Sequence, residues 1–124
     1  MFKYLSIITS IISFTLFLSL FIYPKLLFVV FEISYNDSAF FMARRTAMLF
    51  LGLGVLSLLM RNIDDIKTRK SFSAGLVVIM FSLAILGSVE FLRGYAGIGI
   101  GIAVFTEFFL GLAYLKIWFT SKTV

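Results

Sequence analysis

Four long apolar runs, separated by short polar segments, dominate the hydrophobic pattern of this chain. They cover about residues 4–23, 40–60, 72–92 and 98–119. At about 1.5 Å per residue, a helix of this length crosses the roughly 30 Å hydrocarbon core of a bilayer. The first run is long and lacks a small-residue cleavage site, so we interpret it as an uncleaved span rather than a signal peptide. The pattern predicts an all-α integral membrane four-helix bundle, forming a single transmembrane domain over residues 1–124.

The segments between the runs predict how the helices are connected. Residues 26–31 are apolar but too few to span, so we expect a half-buried interfacial helix there. Asn36 begins an Asn-Asp-Ser turn signal and is the predicted N-cap of the second span. Residues 61–71 are strongly polar and are interpreted as a solvated loop. Only residues 93–97 separate the last two spans, which predicts a tight antiparallel hairpin.

Small residues recur on the predicted helices and favour close helix packing. Ser6, Ser10 and Ser13 share one face of the first span, and Gly52 and Gly54 interrupt the second. The fourth span begins with the glycine-rich sequence GIGIG at residues 97–101. A polar path along the serine face is the alternative for the first set, and a phosphate-binding loop is a weaker one for the glycines. No strand precedes either glycine segment, so packing is preferred.

Composition supports the membrane assignment and excludes several kinds of chemistry. The chain is 61% hydrophobic and 14% charged, whereas soluble domains are nearer 45–50% and about 25%. It has no cysteine and no histidine. Disulfides, thiol or imidazole catalysis, and metal or haem sites built on these residues are therefore excluded. We expect neither an enzyme nor a resident cofactor.

The distribution of basic residues predicts the orientation in the membrane. With four spans, both termini and residues 61–71 lie on one side, which carries more lysine and arginine than the other. The positive-inside rule then places both termini in the cytoplasm, with anionic lipids as neighbours. Because the charge of +5 flanks apolar runs, nucleic acid is not an expected partner. The richer side carries Lys3, Arg61, Lys67, Arg69, Lys70, Lys116 and Lys122, and the other carries Lys25, Arg44, Arg45 and Arg93.

Arg44 and Arg45 are the first candidate site residues. The uncharged part of the second run, residues 46–60, covers only about 22 Å, so both arginines must enter the edge of the membrane. Guanidinium groups there are unfavourable unless they reach headgroups or carboxylates. Counting residues along the helices puts Glu90 at a similar depth.

We therefore expect one of these arginines to pair with Glu90, or with Glu32 or Asp37 from the preceding connection. The other is expected to reach the outer headgroups. In the alternative, both arginines do so and neither forms an ion pair.

Glu107 is the fourth candidate and lies inside the last span, about 13 Å from Lys116. No basic residue shares its depth. It is interpreted either as a neutral carboxyl bonded to a Ser or Thr, or as a proton-titrating or substrate-anchoring group. A contact from a downward-reaching arginine is a third possibility.

The sequence MARRTAMLFLGLGVL at residues 42–56, the basic inner loop and the acidic residue in the last span resemble the DoxX-like group of small bacterial inner-membrane proteins. The resemblance covers most of the chain. It implies a four-helix inner-membrane bundle, often with no assigned activity, and some members are associated with membrane redox complexes. The resemblance rests on architecture, so no site residue is transferred from it.

Three functions are compatible with these features. The first is an outer-side polar pocket, formed by Arg44, Arg45, Glu90 and Glu107, that binds an anionic or amphipathic small molecule or a lipid. The second is an accessory subunit of a larger membrane complex. The third is an oligomeric, proton-coupled transporter that uses Glu107. Membrane lipids, a membrane-protein partner and further copies of the chain are the corresponding partners.

Overall fold

The computed structural model describes residues 1–120, which form five α-helices and no strand. These are α1 (Phe2–Ile22), α2 (Pro24–Val30), α3 (Asp37–Met60), α4 (Ile66–Leu92) and α5 (Ile100–Thr120). All except α2 are long and apolar enough to cross a membrane. The all-α class and the four candidate spans are thus confirmed for the described residues. Lys122, which contributes to the predicted charge bias, lies outside them.

The helix ends follow from local capping. The Asn36 side chain accepts a hydrogen bond of 2.8 Å from the Ala39 N–H, which confirms the predicted N-cap of α3. Asp65 caps α4 in the same way, accepting a 2.9 Å bond from the Thr68 N–H. Hydrogen bonds from the Thr68 hydroxyl and N–H lower the pKa of Asp65. Because of this cap, residues 66–71 are helical, so the predicted loop over residues 61–71 is too long.

The short helix predicted at residues 26–31 is present as α2, which begins with Pro24. Its C-terminus is a Schellman motif, in which the Ile33 N–H bonds to the Phe28 carbonyl at 2.8 Å and the Glu32 N–H bonds to the Val29 carbonyl at 3.2 Å. This motif requires a left-handed residue, and Glu32 supplies it with φ of 54°. The helix therefore stops abruptly, and the chain turns back toward the start of α3.

The long helices pack as two pairs, α1 with α3 and α4 with α5. Contact between the pairs is much slighter and is made mainly by α1 and α5, while α2 lies against α1 and α3. We call the end that carries α2 the cap end. The opposite end, which holds Met1, residues 61–65 and Thr120, is the terminal end.

Close packing within the α1–α3 pair depends on small residues. The Ser10 hydroxyl donates a 2.9 Å hydrogen bond to the Gly54 carbonyl across the interface. A Cβ atom at Gly54 would lie 2.9 Å from the Phe14 ring, whereas one at Gly52 would meet nothing within 4 Å. Packing therefore explains Gly54 but not Gly52. The predicted serine face is also buried, with Ser6, Ser10 and Ser13 each at most 2% exposed.

Gly54→Ala is predicted to destabilise the protein by about 1–3 kcal/mol, because the added methyl group forces α1 and α3 apart. The measurement is the free energy of unfolding of the purified protein in an equilibrium detergent-denaturation titration. Gly52→Ala is the matched control on the same helix, and its Cβ enters open space. Equal stability of the two variants would show that α3 does not approach α1 as closely as described.

Candidate functional site

A cleft of about 390 Å³ lies between the two helix pairs. It exists because each pair is packed closely within itself while the pairs touch each other only slightly. All five helices contribute to its walls, which are mainly apolar. Ile12, Leu16, Leu53, Met80 and Leu83 are typical lining residues. The cleft is thus a cavity in the interior of the bundle, surrounded by helices that are candidates to span the membrane.

Glu107 is the ionisable residue on the wall of this cleft. It lies in the third turn of α5 and is partly buried. Within residues 1–120, its carboxylate forms no ion pair and no side-chain hydrogen bond. Of the interpretations left open by the sequence, the bonded carboxyl and the arginine contact are therefore not observed. Glu107 faces the cleft without a partner from the described chain.

A second cavity of about 280 Å³ adjoins the cleft on the side of the cap end. Both cavities share Glu107, Phe31, Leu83 and Ala103 in their walls. Glu90 also lines the second cavity, so the structure brings Glu90 and Glu107 to the same space.

Glu90 has its own partner. Its carboxylate lies 3.7 Å from the Arg93 guanidinium, one turn along the same chain. The Arg93 group is also 4.9 Å from the centre of the Tyr95 ring. Both members of the ion pair are partly exposed, so the pair lies at the rim of the bundle. Of the two acids, Glu107 is the one without an ion-pair partner among residues 1–120.

The arginines predicted to complete this site lie elsewhere. Arg44 and Arg45 are exposed, line neither cavity, and form no ion pair with any carboxylate among the described residues. The reason is the packing face of α3, on which Ala43 and Ala47 are 7% and 0% exposed. Each step along a helix rotates a side chain by about 100°, so the positions after Ala43 point outward. The expected pair with Glu90 does not form.

The segment after α2 forms part of the cleft wall at the cap end. The Phe31 carbonyl accepts a 2.7 Å hydrogen bond from the Gly97 N–H, which joins this segment to the turn before α5. A Cβ atom at Gly97 would overlap the Glu32 carboxylate, and one at Gly99 would overlap the Val30 carbonyl. The GIGIG sequence therefore allows two backbones to approach, rather than two helices as predicted. Gly101 has open space around it.

The cleft opens sideways. Ile11 of α1 and Ile102 of α5 line it and are 60% and 67% exposed. Both residues belong to helices that are candidates to span a membrane. The mouth between α1 and α5 therefore opens onto the surface that faces lipid in a membrane, not onto an end of the bundle.

Hydroxyl groups lie beside the cleft. Thr9 lines it, and its hydroxyl is 2.7 Å from the Tyr114 hydroxyl on α5. Tyr114 is fully buried and joins α1 to α5 where the pairs touch. Sequence reasoning did not identify this bond, because the two residues are 105 positions apart in the chain.

Among residues 1–120, no group of three or more acidic side chains is placed to hold a metal ion. Comparison of the chain with protein-family models finds no match, and comparisons with curated proteins and with solved structures find none either. The resemblance to DoxX-like proteins stays a prediction.

Gly97→Ala and Gly99→Ala are predicted to displace the segment after α2, since each adds a Cβ where the structure has no room. A cysteine introduced at Ile33, the first in this cysteine-free chain, reports the change through its reaction rate with a water-soluble maleimide. The rate should rise in both variants. Gly101→Ala is the matched control and should leave it unchanged; a similar rise there would mean that the glycines do not act through the cap.

A double-mutant cycle tests the charge assignments. Arg44→Gln combined with Glu90→Gln should be additive in unfolding free energy, within about 0.3–0.5 kcal/mol. Arg93→Gln with Glu90→Gln should show a coupling of up to about 1 kcal/mol, since the pair is exposed. A larger coupling for Arg44 than for Arg93 would contradict the arrangement described.

Proposed function

We propose that this chain is a small polytopic membrane protein that binds an amphipathic small molecule in the cleft between its helix pairs. The observation that carries the proposal is a cavity of about 390 Å³ faced by the unpaired carboxylate of Glu107. Ligand sites in proteins usually occupy about 300–1,000 Å³ and have mainly apolar walls with a few polar groups that set orientation. The cleft has both properties.

The polar groups on the cleft wall are few and lie on two helices. Glu107 and Thr106 are adjacent on α5, and Thr9, Ser13 and Thr15 lie on α1. The rest of the wall is mainly aliphatic and aromatic. A ligand with one polar end and an apolar body matches this division, because its polar end has partners while its body avoids water.

The side opening supports a ligand that arrives through the bilayer. A water-soluble molecule would need a path from one end, past the Phe31–Gly97 contact at the cap end or the Thr9–Tyr114 contact toward the terminal end. An amphipathic molecule dissolved among acyl chains can enter between α1 and α5 without leaving the apolar phase. Retained intramembrane carboxylates usually mark such functional sites, because an uncompensated charge in the membrane is unfavourable.

The positions of Arg44 and Arg45 remove the reason for expecting an anionic ligand. An anionic ligand was expected because Arg44 and Arg45 were assigned to the pocket, and both lie outside it. The two guanidinium groups instead offer an outward surface on α3 for lipid headgroups or for an acidic group of a membrane partner. That surface is what supports the accessory-subunit alternative.

We further propose that the protein resides in a bacterial inner membrane with both termini in the cytoplasm. The support is the excess of lysine and arginine at the terminal end over the cap end. In that orientation the segment after α2 lies on the outer side, and Glu107 lies near the middle of the membrane.

The proposal is tested with a neutral twelve-carbon alcohol that carries a diazirine, photolysed with the protein in zwitterionic lipid nanodiscs. Labelling should concentrate on the cleft residues Ile12, Leu16 and Leu83, which peptide mass spectrometry can identify. Ala103→Leu fills space shared by both cavities and should reduce this labelling several-fold relative to the total.

Gly75→Leu is the matched control, since it adds an equally large side chain where a Cβ meets nothing within 4 Å. It should leave the pattern unchanged. Labelling spread evenly over lipid-facing residues, and insensitive to Ala103→Leu, would rule out a binding cleft.

A further inference from the structure

We propose that the cleft selects cationic amphiphiles: an apolar molecule with an ammonium or other onium group whose positive charge meets the carboxylate of Glu107. This inference rests on the proposed function and names the ligand class for the same site. It reverses the charge that the arginine pair had suggested.

The ionisable aliphatic side chains that line the two cavities are all acidic. Their described lining residues include the acids Glu90 and Glu107 and no lysine or arginine. Glu90 is compensated by Arg93, at 3.7 Å. Glu107 has no such partner among the described residues, so the cleft presents one acidic side chain whose ionised form a cation in the cleft would favour.

The basic residues of the described chain have other positions. Lys70 lies 4.7 Å from the Trp118 ring centre, Arg69 lies 5.3 Å from that of Phe2, and Lys25 lies 5.7 Å from that of Tyr35. These contacts hold the cations at the two ends of the bundle. Lys116 is on the same helix as Glu107 but about 13 Å away along its axis. Residues 1–120 therefore supply no cation to the Glu107 carboxylate.

A cation from outside would be favoured for two physical reasons. A carboxylate in an apolar space interacts strongly with an opposite charge and repels a like one, because little water is present to screen either. The aromatic rings of Phe31 and Phe50 also line the cleft, and ring faces attract onium groups. A ligand with a negative head would meet Glu107 with no arginine or lysine to offset the repulsion.

The lateral opening of the cleft, between α1 and α5, determines the chemical structure that such a ligand needs. Ile11 and Ile102 frame an apolar opening, so the charged group must be attached to an apolar body that partitions into the bilayer. Small inorganic cations lack that body and have no cluster of acidic ligands here among residues 1–120. The ligand class is thus a lipophilic cation rather than a metal ion.

The test uses three diazirine probes with the same twelve-carbon body and different heads: hydroxyl, trimethylammonium and sulfonate. Each is photolysed with the protein in zwitterionic nanodiscs, and labelling is normalised to the amount partitioned. The ammonium probe should label the cleft residues about tenfold more than the alcohol, as one charge-assisted contact would produce. The sulfonate probe should label them less than the alcohol.

Glu107→Gln keeps the size of the side chain and removes its charge. It should abolish the advantage of the ammonium probe and leave labelling by the alcohol in place. Asp64→Asn is the matched control, since it removes a fully exposed carboxylate from the α3–α4 loop and should change nothing. Glu107→Asp retains the charge and should retain a preference for the ammonium head, which keeps the test decisive if the Gln variant folds poorly.

The outcomes separate the two proposals. Equal labelling by the alcohol and ammonium probes, stronger labelling by the sulfonate, or an ammonium preference that survives Glu107→Gln would overturn the cation assignment while the binding cleft stands. Failure of all three probes to label the cleft residues would overturn the cleft itself.

Discussion

Close approach of small residues within each helix pair is the constraint on which the rest of this structure depends. Ser10 bonds to the backbone at Gly54, and Gly111 lies against Phe81, so that α1 meets α3 and α5 meets α4 with little space between them. Apolar residues give little driving force for association between helices in lipid, so such contacts are the main source of specificity. Contact is concentrated within the pairs, and the space between the pairs remains as the cleft.

The segment around α2 gives that space a wall at the cap end, so that it is more than a simple gap between the pairs. Its Schellman motif turns the chain back at Glu32, and the bond from Gly97 ties it to the opposite pair. Leu27, Val30 and Phe31 thereby become part of the wall. One short helix thus links the two pairs at the cap end, while Thr9 and Tyr114 link them nearer the terminal end. Glu107 lies between these two links.

A lone carboxylate between two fixed links gives the protein a specific electrostatic character. Its basic residues outnumber its acidic ones, 11 to 6, yet the ionisable side chain on the wall of the interior cleft is an acid. The net positive charge is therefore a property of the outer surfaces, which contact lipid headgroups, whereas the ionisable group of the interior is Glu107. The two properties are independent, and only the second bears on a ligand inside the bundle.

Composition and run length by themselves determined the helical class and the four candidate spans. The Asn-Asp-Ser turn signal determined the N-cap at Asn36. Each of these features depends on residues that are close in sequence. The Schellman turn at Glu32 and the early start of α4 after Asp65 are also local, but the turn signals in the sequence there were too weak to predict them. Tertiary structure alone decided which way the charged residues face. Arg44 and Arg45 point outward because Ala43 and Ala47 occupy the packed face of α3. The pair of Glu90 with Arg93 is an exception, because the two residues are one turn apart and their contact is local. The depth of a residue along a helix can be read from residue counts. The direction in which its side chain points depends on the helix packed beside it. That direction places Glu107 in the cleft and the two arginines outside it.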